Sequence, residues 1–224
     1  MFYNLPSIKR LMKLEYKGSG LTVGMTDNEW LYIAGSFWIL CQDFKSVPKE
    51  FKAAVIELAG EFPEPGNCFR AFKDGGNQIM IEQDDFLMLP YKYTDISVRG
   101  IRCNETEIVL LWLHPVRIIE PQLGQPLRVI REDALSVVSR DSIDHDAGET
   151  DILGPFVKND DPIVIWFNDS TWYGVYPVNP GEDNPKADIL NMIAGAFGTT
   201  AYTPRKHEII EEEDENVEGH SETV

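Results

Sequence analysis

The chain has 224 residues, 43% of them hydrophobic and 25% charged, a balance that buries a substantial core without metal or disulfide and excludes a wholly disordered protein. Its formal charge is −17, and eight acids lie between Glu208 and Glu222 in a stretch with no Lys or Arg, which leaves −9 for the remainder. A body of that sign repels phosphate backbones on average, so nucleic-acid binding requires a segregated basic face.

The first predicted element supplies one. In Ser7 to Tyr16, Ile8, Leu11, Met12 and Tyr16 recur on one helical face, and Lys9, Arg10, Lys13 and Lys17 lie mostly on the other. Gly18-Ser19-Gly20 stops this amphipathic helix. LTVGM and EWLYIAGSFWILC then read as two strands joined near Thr26-Asp27-Asn28. Read as one strand, the second places Trp30, Tyr32 and Trp38 on one face and Phe37 on the other.

Pro48 opens a second predicted helix over 48–59, with Phe51, Ala54, Val55 and Leu58 at helical spacing and Gly60 as its stop. CFRAF, the turn Asp74 to Asn77, QIMIE and FLMLP then predict three short strands. ISVRGIRC and NETEIVLLWLHPVRII read as a strand, a turn and a long apolar strand interrupted at His114-Pro115, where the missing N–H of Pro115 demands an edge or a bulge. A third helix is predicted from Arg131 to Asp141, with Leu135 and Val138 inward. After a polar loop, TDILGPFV, DPIVIWF and TWYGVYP supply further strands, and a short apolar helix covers 187–196. The acidic tail, low in hydrophobic residues, is expected to be disordered.

QIMIEQDDFLMLP (78–90) resembles PIVIWFNDSTWYGVYP (162–177). An offset of 84 residues carries Ile79, Ile81 and Asp85 onto Ile163, Ile165 and Asp169, and also Phe51 and Ala54 onto Leu135 and Val138. Two readings follow: similar hairpins obeying the same turn rules, or tandem subdomains sharing a sheet. The expected organisation is 1–94, 95–203 and a tail over 204–224.

In pattern the chain resembles DNA sliding clamps, on the basic helix bearing Lys9, Arg10, Lys13 and Lys17 and on EFKAAVIELAG followed by strands ending in FLMLPYKYTDI. That resemblance covers roughly residues 5 to 178, carries no diagnostic motif, and implies tandem α+β repeats, a ring-forming oligomer and basic helices turned toward DNA.

Catalytic patterns fail individual tests. Gly18, Gly20 and Gly24 follow a helix and precede a strand, the reverse of a dinucleotide loop, and there is no G-K-[ST]. Ser36 is not in G-x-S-x-G, and no cysteine shares a local signature with His114, His145, His207 or His220. Asp84-Asp85 and Asp160-Asp161 sit in predicted turns. The loop DSIDHDAGETD offers Asp144, Asp146 and Asp151 as weak cation candidates. With Gly148 as the loop glycine, however, EF-hand ligand positions fall on Ile143, His145 and Ala147. Cys41, Cys68 and Cys103 are odd in number and form no C-x-x-C, which fits a reducing compartment.

No apolar run reaches about 18 residues. The sequence therefore reads as a cytoplasmic, β-rich α+β protein that does not span a membrane, needs no cofactor and works by binding another protein rather than as an enzyme. Trp30, Tyr32, Trp38 and Trp172 are the expected contact anchors. The alternatives are a clamp-like DNA-replication accessory that forms a homo-oligomeric ring and contacts nucleic acid through Lys9, Arg10, Lys13 and Lys17, or a divalent-metal hydrolase using Asp144, Asp146 and Asp151.

Overall fold

The computed structural model describes residues 1–79, 95–122, 125–146, 148–158, 161–178 and 185–199. Asn4 caps the first helix, α1 (Leu5–Lys17), by accepting the Ser7 N–H at 3.0 Å, and Pro6 sits in the first turn, where its lost N–H costs no helical bond. The apolar stripe read in the sequence is the buried face: Ile8, Leu11 and Met12 are inaccessible or nearly so. The second helix, α2 (Lys49–Ala59), starts after Pro48 and ends at Gly60, whose φ of 80° is the left-handed conformation a glycine tolerates.

Eleven strands among the described residues form one antiparallel sheet. They are β1 (Leu21–Met25), β2 (Trp30–Ala34), β3 (Trp38–Asp43), β4 (Asn67–Phe72), β5 (Gly76–Ile79), β6 (Ile101–Leu111), β7 (Pro115–Pro121), β8 (Arg128–Arg131), β9 (Leu153–Lys158), β10 (Asp161–Phe167) and β11 (Thr171–Val175). Their spatial order is β5-β4-β1-β2-β3-β11-β10-β9-β6-β7-β8. Strands before residue 80 thus occupy one end and strands after 100 the other, and they meet where β3 pairs with β11, with Cys41 opposite Trp172 and Trp38 opposite Val175. The fold is mostly β with some helices, as expected.

Two of the predicted strands are divided. Gly35 turns the chain, its N–H bonding the Trp38 carbonyl at 2.9 Å, so Trp30 to Asp43 is a hairpin rather than one strand. That turn resets the alternation: Tyr32 packs on one side of the sheet and Trp38 on the other. Likewise the strand expected to be interrupted at His114-Pro115 folds back there, pairing Leu111 with Pro115 and Cys103 with Pro121. Ile96–Arg99, predicted as strand, forms a short helix, α3.

The helix expected over 131–141 shrinks to α4 (Glu132–Leu135), followed by a 3-10 turn at Arg140–Ser142. Long-range partners claim the intervening backbone: Val137 accepts from Asn4 N–H at 2.7 Å, Val138 bridges Tyr3, and Ser139 donates to Phe2. Leu135 and Val138 do pack against the core.

The main core lies between the sheet and α1, α2 and α4, with Trp38, Trp166, Tyr173 and Phe51 among its largest fully buried side chains. The opposite face carries a second apolar cluster that includes Tyr32, Cys41, Cys68, Ile163, Ile165 and Trp172 and packs with Ile96 of α3. Central strands are therefore apolar on both faces, as in any sheet covered twice. A final helix, α5 (Pro185–Thr199), extends the predicted 187–196 at both ends.

The 84-residue offset joins β5, an edge strand, to β10, an interior one; Ile79 is 80% exposed and Ile163 is fully buried. Residues 80–94, including Ile81, Asp84, Asp85 and FLMLP, lie outside the described residues, as does the acidic tail.

Candidate functional site

The N-terminal backbone bonds that shorten α4 also place α1 beside α4, which itself packs on β7 and β8. Ser136 Oγ meets Ser7 Oγ at 3.3 Å, and Tyr173, buried in the sheet, donates its hydroxyl to the Ala134 carbonyl at 3.0 Å. The result is an open groove of about 680 Å³ lined by Lys9, Arg10, Lys13 and Lys17 on the outer face of α1 and by His114 of the β6–β7 turn, Arg131 at the end of β8 and Asp133 of α4.

The electrostatics of the groove are uneven. Lys9, Lys13 and Lys17 follow one another at intervals of one helical turn, roughly 6 Å apart along the axis. Lys9, Arg10 and Lys17 form no ion pair with any described residue, while Lys13 faces Glu57 at 3.7 Å across an exposed pair worth little. Asp133, the sole carboxylate in the wall, is already committed: both of its oxygens bind Arg131, at 3.0 and 2.6 Å, and the Arg131 guanidinium lies 4.1 Å from the Phe37 ring. The groove thus concentrates positive charge on an otherwise acidic protein. Just beyond it, the β6–β7 turn exposes Leu111 at 84% and Leu113 at 88%, flanking Trp112 and preceding His114.

All four basic residues selected from the sequence therefore converge on one surface. Arg131 and His114 were not selected with them, because their approach to α1 depends on Tyr3 meeting Val138 across 135 residues of chain. A basic residue at the start of a predicted helix and a histidine before a proline carry no local sign of it.

The aromatic anchors behave differently. Tyr32 and Trp38 are fully buried, Trp172 is 6% exposed, and Trp30 is partly buried against the second cluster. Three of the four thus serve packing in this conformation, because their strands are interior to the sheet. Tyr32 lies across Gly24, and burial raises the pKa values of the Tyr32 hydroxyl and the Cys41 and Cys68 thiols above their usual ranges.

The acid-rich loop assembles no cation site: among the described residues, no three His, Cys, Asp or Glu side chains are placed to hold a metal. Asp144, Asp146 and Asp151 are not gathered; His145 Nε2 is 3.5 Å from Asp151, and Glu149 accepts the Asp144 N–H and pairs with the N-terminal amine. Ser36 donates to buried Glu15 at 2.9 Å and so caps a core carboxylate. Cys41, Cys68 and Cys103 are all buried, and none of them is in a disulfide. No described helix is long and apolar enough to cross a membrane.

Compared with protein-family models, curated proteins and solved structures, the chain matches none.

Proposed function

We propose that this protein acts by binding rather than by catalysis, as an interaction module whose docking surface is the groove along α1 and whose partner is a protein segment rich in carboxylates. The observation that carries the reading is the set of Lys9, Arg10 and Lys17, without acidic partners among the described residues, lining a groove in a chain of net charge −17. Local fields of this kind attract anions at short range even when the whole molecule repels them.

A peptide is favoured over a nucleic-acid duplex on charge density. Duplex DNA carries one charge per ~1.7 Å of axis, and its approach sets many phosphates against an acidic body. A short acidic segment engages the groove alone. Leu111 and Leu113 beside His114 offer such a segment apolar contact, the kind of anchor that gives an electrostatic interface its residence time.

The test is fluorescence anisotropy of a labelled oligoglutamate peptide and, in parallel, a short DNA duplex against the full chain with its acidic tail neutralised (E211Q/E212Q/E213Q/D214N/E215Q). Saturable peptide binding, with the duplex weaker, is the expected result. A tighter duplex transfers the groove to nucleic acid, and light scattering then shows whether the chain forms the ring a clamp requires. Binding of neither ligand removes the proposal.

A further inference from the structure

We infer that in the free protein the groove is occupied by the chain's own acidic segment, Glu208 to Glu222, so that a partner binds by displacing it. The inference rests on the groove being an anion-binding surface and adds its regulation.

Charge and reach carry the argument. Eight carboxylates in the segment, five of them consecutive from Glu211 to Glu215, face no Lys or Arg within it. The groove holds Lys9, Arg10 and Lys17 without acidic partners among the described residues. The connection is long enough. Helix α5 starts beside the groove wall: Lys186 Nζ is 5.1 Å from the Trp112 ring, two residues before His114. Its 15 residues span about 22 Å. The eight residues from Thr200 to His207 reach about 26 to 29 Å when extended. They can therefore return Glu208 to the groove even if α5 points directly away from it.

Tethering makes the contact effective without high intrinsic affinity, since a linked segment samples its site at an effective concentration of order millimolar. An external acidic partner must outcompete that concentration, which disfavours weakly charged sequences. The Leu111 and Leu113 contacts would tip the balance toward a partner that presents apolar side chains among its acids.

The experiment places a nitroxide spin label on the segment of the full chain through Ser221→Cys; Cys41, Cys68 and Cys103 are buried and do not compete for the reagent. Amide signals of the 15N-labelled protein are compared with the label oxidised and reduced. At about 50 mM salt, amides of α1 from Lys9 to Lys17, and that of His114, are expected to lose most of their intensity. They recover near 1 M salt, where the screening length falls to about 3 Å, and in the K9Q/K13Q/K17Q variant. Attenuation on another surface, attenuation of α1 that persists in that variant, or none at all overturns the inference.

The tail-neutralised chain separates this outcome from failure of the groove itself. If it binds oligoglutamate while the label never approaches α1, only self-occupancy is wrong. If self-occupancy holds, tail neutralisation tightens oligoglutamate binding about tenfold relative to the unaltered chain, whereas equal affinities contradict it.

Discussion

Gly24 shows how a single hydrogen can fix a whole region of the sheet. A Cβ at this position would lie 2.1 Å from the Tyr32 ring, which is fully buried across the strand pair Gly24–Tyr32. Gly24→Ala is therefore expected to destabilise the fold by about 1–3 kcal/mol, as overpacking does, read as a lower urea midpoint with an unchanged slope. Cys103 gives a second test at this scale. Burial pushes its thiol up to about 12, so the folded state holds the neutral form where the unfolded chain ionises near 8.5. Its contribution is complete below about 8.5 and is lost as pH rises toward 12. Between about pH 9 and 10, Cys103→Ala should flatten the alkaline fall in stability by up to ~1.4 kcal/mol per pH unit; an unchanged pH slope contradicts the assignment. Single residues were also where the sequence misled. Alternation placed Tyr32 and Trp38 together because nothing in AGSF announces a turn as strongly as Asn-Gly would, and one unrecognised turn inverts every face after it.

Helix α1 was the most legible element, since its apolar stripe and its Gly18 stop are both local signals, and its outer face is the cationic wall of the groove. Leu11, 1% exposed, anchors it; Leu11→Ala is expected to cost about 2–5 kcal/mol and to loosen the groove with the helix, measurable as faster hydrogen exchange along α1. The opposite wall was illegible. The β6–β7 hairpin turns at Trp112-Leu113-His114 without glycine or asparagine, so one long strand interrupted at His114-Pro115, rather than two strands folded back on each other, was the natural reading. The helix predicted from Arg131 to Asp141 had adequate periodicity, but backbone bonds from Phe2 and Asn4 to its second half replaced the helical ladder. Tertiary hydrogen bonding of this kind overrides a weak local preference. The basic residues could therefore be chosen from sequence, but the groove that joins them could not.

At the scale of the molecule, one sheet carries both halves of the chain, and the β3–β11 pairing is their junction. Trp38, fully buried at that junction opposite Val175, ties the packing of the two halves together. Trp38→Ala is expected to cost about 3–5 kcal/mol and to lower both halves in a single transition, whereas separate transitions by tryptophan fluorescence and circular dichroism would mean that the halves fold independently. The charge distribution is equally global: an acidic body, an acidic segment beyond residue 207 and a cationic groove on one face. Composition revealed the first two, and only the fold assembled the third. The most direct measurement is the affinity of the tail-neutralised chain for labelled oligoglutamate with and without K9E/K13E/K17E, at matched circular dichroism. The groove account predicts that charge reversal weakens binding at least about tenfold. An affinity unchanged by reversing those three charges would contradict it.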